Sequence, residues 1–426
     1  MESWQVCSLE EVVKFIDYRG KTPKKTEDGM RLITAKNVKM GYLQSEPMEF
    51  VDPEIYDRWM TRGIPKEGDV LFTTEAPLGN VTQLDTDEKV VFAQRIIVMQ
   101  PNREMLDSTF LKYMLLSNLM QERIRAKGTG ATVQGIKSQL LKKILISFPR
   151  SLLEQKRIVS IVDQAFEGID RAIAHTKKNR TNARELFESY LNAIFIQKGD
   201  RLENLKSKFV PLSTLLSEQP RNGWSPPAIF QTGEGTPVLT LSAVTGFDYD
   251  GSRVKLTSAP TKEEAHYWLK EGELLMTRSN TRELVGHVAI YNGNPQRAIC
   301  CDLIMKMTVD YTKADTRFVY YYLRSLAARK YLTGRATGAS ATMPKINKQV
   351  VQEAPIPSFS LAKQQDIVRK LDAIAVESQR LEAIYKQKLT TLTELKQSIL
   401  QKAFTGELTA DTANQTTKNA EEAIAA

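Results

Sequence analysis

From Ile367 onward the chain carries a stripe at alternating steps of four and three: Ile367, Leu371, Ile374, Ser378, Leu381, Tyr385, Lys388, Leu392, Leu395 and Ile399. Ser378 and Lys388 are its polar interruptions. That period is the seam of a coiled coil, so it predicts a long helix burying one narrow face against another helix. A second stripe begins at Ile158 and runs through Val162, Ala165, Ile169 and Ala172. After the weak stretch "HTKKNRTN" it continues through Ala183, Leu186, Tyr190 and Ala193. Each helix covers about 40 residues, roughly 60 Å at 1.5 Å per residue. Neither can bury its stripe alone. Both belong to one chain, so the economical arrangement is an antiparallel pair within the molecule, ahead of dimerisation between molecules.

Outside these helices the pattern turns to short apolar runs punctuated by Gly and Pro, the signature of strands. Strands are expected at "RLITAKNV" (31–38), "DVLFTT" (69–74) and "KVVFAQRIIVMQ" (89–100). A matching set is "PVLTLSAV" (237–244), "ELLMTR" (273–278), "GHVAIY" (286–291) and "AICCDLIMKMTV" (298–309). Helices are expected near 108–126 and 316–332. The two sets are copies. "LLEQKRIVSIVD" (152–163) is echoed by "LAKQQDIVRKLD" (361–372), "SLEEVV" by "PLSTLL", "KEGDVLFT" by "KEGELLMT", "DSTFLKYMLLS" by "DTRFVYYYLRS", and "GTGAT" by "ATGAS". The offset drifts only from about 203 to about 210. This is one duplication of a unit of about 200 residues, too long a period for a solenoid. The expected fold is α+β: two similar α/β heads related by a pseudo-two-fold axis and joined by the paired helices. The expected divisions are 1–150, 151–200, 201–360 and 361–406, with a flexible tail over 407–426.

Composition narrows the class. Hydrophobic residues make up 42% and charged residues 26%, as in an ordinary globular protein. No apolar run reaches the ~18 residues of a membrane span. The opening "MESWQVCSLEEVV" lacks the pattern of a secretory signal. Cys7, Cys300 and Cys301 form neither a disulfide framework nor a zinc motif, so a cytoplasmic protein is expected. The net charge is +9; from Glu407 on, four acids against Lys418 give −3, leaving +12 on the body. That surplus favours a polyanionic partner. Catalytic signatures are missing: there is no Walker A sequence, and "SPPA" (225–228) lacks the flanking residues of an amino-methyltransferase motif. His175, His266 and His287 are scattered and build no metal site, with His175 expected on a helix surface. A binder is expected, with no cofactor of its own.

The two halves agree in scaffold and diverge in loops, which suggests one kind of ligand with two local sequences. Those loops hold residue types suited to DNA. Arg19, Lys21, Thr22 and Lys36 lie in the first half; Arg221, Asn222, Arg278, Asn280 and Arg282 lie in the second. Arg reads guanine through two acceptors and Asn reads adenine bidentately. Lys127, Lys137, Lys142 and Lys143, with Arg329, Lys330, Arg335 and Lys345, are candidates for phosphate contacts beside the loops at Thr129-Gly130 and Thr337-Gly338. For any one of these the competing reading is a solvated surface charge, and for the Thr-Gly pairs a tight turn.

Taken together, "LLEQKRIV" and "LAKQQDIV", the paired "TGAT" and "TGAS" loops, "KEGDVL" and "KEGELL", and "YRGKTP" (18–23) resemble the specificity subunit of type I restriction–modification systems over residues 5–406. The resemblance implies two target-recognition domains, each reading one half of a split, asymmetric double-stranded DNA target. It implies a non-catalytic subunit on which two methylation subunits dock. Two restriction subunits would supply translocation and cleavage, and S-adenosylmethionine, ATP and Mg would belong to those partners. Of the loop residues it points to Arg19, Lys21, Thr22 and the two Thr-Gly loops; "RNGWSPP" departs from "RGKTP" in the second half. The alternatives are a scaffold whose helices dimerise and whose heads bind protein, and an enzyme that has lost recognisable motifs.

Overall fold

The computed structural model describes residues 4–18, 22–93, 95–130, 133–195, 209–226, 235–338 and 343–408. The chain divides into two compact units, residues 1–178 with 385–426, and residues 179–384. Each unit contains one head and one segment of each long helix, Leu152–Phe195 and Leu361–Thr405.

In the first unit a four-stranded antiparallel sheet runs in the order Val13–Asp17, Ile96–Pro101, Val70–Thr73, Val81–Gln83. A smaller sheet runs Lys25–Thr26, Glu49–Val51, Met30–Ile33, Val91–Phe92, its last pair parallel. A ribbon pairs Trp4–Ser8 with Leu145–Pro149. The second unit repeats the plan: Leu216–Asn222, Ile304–Val309, Leu274–Thr277, Val288–Ile290 in the larger sheet. Its smaller sheet is Val254–Thr257, Thr236–Leu239, Ile299–Cys300, again ending in a parallel pair, and its ribbon pairs Phe209–Pro211 with Pro355–Pro357. The duplication seen in sequence is therefore a duplication of topology.

Four expectations change. The runs 31–38 and 237–244 are strands only at their starts, Met30–Ile33 and Thr236–Leu239; the chain then turns, in the second as a 3-10 helix over Leu241–Ala243. The runs 89–100 and 298–309 are not single strands; each is cut in two, and the pieces join different sheets. Both pieces are buried, with Phe92, Ile97, Val98 and Met99 fully inaccessible, so the apolar run continues across the break. The helices near 108–126 and 316–332 are each two helices, Ser108–Leu116 with Asn118–Ala126, and Thr316–Arg324 with Leu326–Gly334. Ser117 and Ser325 interrupt them in extended conformation, their hydroxyls donating to the carbonyls of Met114 (2.7 Å) and Tyr322 (2.6 Å). The proposed tail starts too early, because Leu408 is buried in the first head's core; the remainder of that tail lies outside the described residues.

The echo that opens each long helix has a physical reason. Gln155 is fully buried; its Nε2 donates to the carbonyls of Met105 and Pro149, each at 2.8 Å, and its Oε1 accepts from the Asp107 N–H at 2.8 Å. Asp107 in turn caps the helix Ser108–Leu116 through the N–H groups of Thr109 and Phe110. Gln364 does the same in the second unit, accepting from the Asp315 N–H at 2.9 Å and donating to Phe359 O at 2.8 Å. About two helical turns further, Tyr113 donates to Asp163 and Tyr321 to Asp372. These repeated residues fix each head on its helix. Burial and the carboxylate partner both hold the two phenols protonated well above the usual tyrosine range.

The seam is largely as expected. In the first unit Ile158, Val162, Ala165, Ile169 and Ala172 share a core with Leu392 and Ile399, with Leu395 partly buried against it. In the second, Ile367 and Leu371 are buried, Ile374 packs on the same core and Leu381 is half-buried. Each unit thus pairs the front of one helix with the rear of the other, as antiparallel helices require. Ser378 is buried yet satisfied, donating to Ala183 O at 2.7 Å. Lys396 meets Asp170 at 2.5 Å, and Arg184 meets Glu382 at 2.5 Å. Leu186 is a correction: it is 58% exposed, Ala193 is exposed too, and Phe187 and Leu191 are buried instead. The cause is that this stretch packs on the second head as well as on its partner helix: the Phe187 ring meets Tyr321 at a tilt, and Phe195 meets Phe318 and Tyr322 edge to face.

Candidate nucleic-acid interface

In each head the central sheet has one end where the divergent loops meet. In the second head, Asn222 pairs with Met305 and Thr277 with Ile304, so the edge strand and the inner strand finish together beside the start of Ile304–Val309. The next residues are tied to that end: Gly223 N–H donates to Ile304 O (2.9 Å) and Arg278 N–H to Leu303 O (2.7 Å). The Thr-Gly loop closes on the same place. Thr337 and Lys345 exchange backbone hydrogen bonds of 2.9 and 2.7 Å, Ser279 bridges Lys345, and Ile346 N–H donates to Arg278 O at 2.9 Å. The first head is built alike. Asp17 and Thr73 end opposite Ile97 and Ile96, Thr129 and Gly135 exchange bonds of 2.8 and 2.9 Å, and Glu75 bridges Gly135. Gly130 has φ +114°, and a Cβ there would lie 2.3 Å from Val133 O, so only glycine closes this loop.

The sequence candidates fall into three groups. Arg278, Asn280 and Arg282 follow the inner strand, and Arg278 and Ser279 are tied through Ile346 and Lys345 to the loop that holds Thr337 and Gly338; Asn280 Oδ1 accepts from Thr281 N–H at 2.9 Å, and Arg282 is exposed. Lys127 and Arg335 occupy matched positions at the C-termini of the helices that lead into the Thr-Gly loops, with Thr129 exposed beyond the first. Arg221 is exposed on the edge strand. Thr22 is exposed just past Tyr18, which is pinned by its hydroxyl to Gly63 O at 2.6 Å; Arg19 and Lys21 lie outside the described residues.

Others are committed elsewhere. Asn222 Oδ1 is buried without a hydrogen-bond partner, so this side chain does not offer adenine the bidentate edge expected of it. Lys36 lies 3.5 Å from Glu49, which Lys25 also meets at 2.7 Å. The Lys25 contact comes first among the causes that hold the Glu49 carboxyl below its usual range. Arg329 is engaged within the head: its fork donates to Val285 O (2.6 Å) and Glu283 O (2.9 Å), and burial lowers its pKa to about 10. It braces the loop after Arg282. The sequence reading missed Glu75 and Arg95, which stand 3.0 Å apart at the corresponding end of the first head. A residue-by-residue alignment of the two halves was the signal that could have found them.

His287 lies near Arg329, whose guanidinium stands over the Phe247 ring 5.7 Å from its centroid. It stacks on Phe247 with centroids 4.0 Å apart, and its Nδ1 accepts from Gly246 N–H at 2.9 Å. Burial, then the Arg329 and Arg324 charges, push its pKa down to about 4. Between that value and the ~6.5 of an unfolded histidine, only the unfolded chain takes up the proton. The stability it contributes is complete above about 6.5 and is lost as the pH falls toward 4. His287→Gln should flatten that part of a urea-midpoint-against-pH curve; an unchanged slope would show that other groups set it.

Among the described residues no cluster of His, Cys, Asp or Glu suits a metal ion, and no helix is long and apolar enough to cross a membrane. Two heads of one topology, each gathering divergent basic and polar loops at one sheet end, define a duplicated recognition module. The model of the type I restriction modification DNA specificity domain matches residues 1–183 and 230–391, and the chain belongs to that family. It is 25% identical over 433 residues to the EcoKI specificity subunit of Escherichia coli K12, covering 96% of this chain and 90% of that protein. It is 24% identical over 431 residues to the StySPI specificity subunit of Salmonella potsdam, with the same coverage. Two solved structures share the fold. One, from work on complex assembly and conformational transition of the type I R-M system, has a TM-score of 0.70 at 21% identity and covers 94% of this chain and 97% of its own. The other, the HsdS subunit of Thermoanaerobacter tengcongensis, has a TM-score of 0.52 at 21% identity, with coverage of 95% and 97%. These findings favour DNA specificity over a dimerising scaffold.

Proposed function

We propose that this chain is the sequence-reading subunit of a type I restriction–modification enzyme, each head reading one half of a split, asymmetric target in double-stranded DNA. The observation that carries the reading is the shared sheet end. One scaffold holds two different sets of side chains in the same place, which is what two unlike half-sites demand. Arg278, Asn280, Arg282 and Lys345 serve the second head there. Lys127 and Arg335, leaving their helices beside the Thr-Gly loops, serve as phosphate contacts that position each head. The long helices set the gap between half-sites and offer outer faces to methylation subunits. Methyl transfer with S-adenosylmethionine, and ATP- and Mg-dependent translocation and cleavage by restriction subunits, belong to those partners, in the cytoplasm where the DNA is.

The test is co-expression with the methylation subunit of the same operon in a methylation-free host, followed by genome-wide mapping of N6-methyladenine. A single split, asymmetric motif is expected. Unmethylated DNA despite copurification of the two proteins would overturn the reading. Removing matched segments from both long helices should change the spacer and leave both half-sites intact; an unchanged spacer would take the ruler role from the helices.

A further inference from the structure

We propose that Arg95, braced by Glu75, reads a guanine in the half-site of the first head and in that half-site alone. The inference rests on the DNA-reading function proposed above and assigns one base contact within it.

Arg95 sits in the break between the strands Val91–Phe92 and Ile96–Pro101, where the chain passes from one sheet to the other. Its backbone is left-handed, φ +69°, a conformation that a long side chain rarely adopts. Glycine or asparagine would hold that turn without strain. The turn is nevertheless firmly held: Thr74 donates to Arg95 O both from its N–H (2.8 Å) and from its hydroxyl (3.3 Å). Thr74 is followed by Glu75, whose Oε1 stands 3.0 Å from Arg95 Nε. Glu75 is fixed from its other side by the Thr-Gly loop, through its bridge to Gly135 and the bond from Ile136 N–H to Thr74 O at 2.9 Å. A Cβ on Gly135 would lie 3.2 Å from Glu75 Cβ, so the loop packs closely against Glu75 here.

The pair is poorly explained as a stabilising device. Its side chains are 48% and 46% exposed, and a half-exposed ion pair contributes less than the left-handed backbone of a long residue costs. An outlier maintained at a loop cluster points to a use for the side chain. The chemistry fits. Contact at Nε orients the guanidinium plane, and the fork of a planar, oriented guanidinium matches O6 and N7 of guanine in the major groove. The second head has no such pair: Leu303, Ser279 and Lys345 stand where the first head has Arg95, Glu75 and Gly135. The effect must therefore be confined to one half-site.

The experiment maps the methylation motif of the co-expressed complex with wild-type chain, Arg95→Gly and Glu75→Gln. Arg95→Gly suits the φ +69° backbone, so loss of reading is not confounded with loss of folding. Discrimination at one G·C pair of one half-site should fall by roughly 5- to 150-fold, the range of a bidentate Arg–guanine contact. The other half-site should be unchanged. Glu75→Gln should relax the same base pair to a smaller degree, marking Glu75 as a positioning residue. The salt dependence of DNA affinity should stay the same in both variants. An intact motif in Arg95→Gly overturns the inference while leaving the DNA-reading function standing. Uniform weakening across sequences, with a log–log salt slope shallower by about one, overturns it in favour of a phosphate contact. A wild-type complex that yields no split motif removes the underlying reading and this inference with it.

Discussion

Replacing Lys306 with Val should destabilise the second head by about 3–5 kcal/mol, the cost of leaving a buried charge without its partner. Lys306 is 4% exposed and Glu273 1% exposed, with Nζ 2.6 Å from the carboxylate and 2.6 Å from Trp268 O. The other carboxylate oxygen of Glu273 accepts the Lys270 N–H at 2.9 Å. The first head shows what an evolved solution without the lysine looks like. Val98 stands at the matched position, and Asp69, in place of Glu273, is served by Lys66 N–H (2.8 Å), Gln100 Nε2 (2.5 Å) and Arg103 (3.4 Å). The valine is therefore not the problem; the orphaned glutamate is. Hydrogen exchange over Leu274–Thr277 and Ile304–Val309 checks this. Protection should fall by two to three or more orders of magnitude in Lys306→Val, and Lys306→Val/Glu273→Gln should recover part of it. Equal loss in the single and double variants would mean that packing of the lysine stem, not charge, matters there.

The parts of the fold set by periodicity and by repetition were legible. The four-three stripe located both long helices, and the duplicated segments predicted two heads whose larger sheets share one strand order. Polar turns announced by non-glycine residues were not legible. "VVFAQRIIV" and "ICCDLIM" read as unbroken apolar strands, because the residues on both sides of each break are buried in different sheets. In the first, the turn is made by Arg95 in a conformation that sequence rules assign to Gly or Asn. Ser117 and Ser325 hid the helix breaks in the same way, since serine in a helical pattern is only a weak signal.

The site was legible by neighbourhood and illegible by role. Loops at 278–282 and at the Thr-Gly pairs were singled out, and backbone bridges bring them together. Which charges are free depends on contacts across tens of residues. Arg329 resembles Lys330 in sequence, yet its fork is used by carbonyls of a loop 44 and 46 positions away. Glu75 and Arg95 each look like surface charges and gain meaning only once Thr74 ties their backbones together.

Phe187→Ala should cost about 3–5 kcal/mol, while Leu186→Ala should stay within about 0.5 kcal/mol of wild type. A strict heptad places Leu186 in the seam, and the molecule places Phe187 there. Two causes act together. A straight α-helix drifts ~20° per heptad against a 3.5-residue repeat, so a stripe begun at Ile158 has rotated by most of one residue four heptads on. The buried stripe follows, through Ala172, Thr176, Ala183, Phe187 and Leu191. The second head then selects the aromatic: the Phe187 ring meets Tyr321 at 6.2 Å, and the Arg324 guanidinium lies 4.6 Å above it. Arg324 is itself held by Glu188 Oε1, at 2.5 Å from Nη2 and 3.2 Å from Nε. Truncating Phe187 therefore opens a cavity and removes the face on which a mostly buried guanidinium rests. Thermal or urea unfolding of the two alanine variants distinguishes the registers directly. A larger loss for Leu186→Ala would restore the heptad register and mean that the partner helix, not the second head, sets the face of this segment.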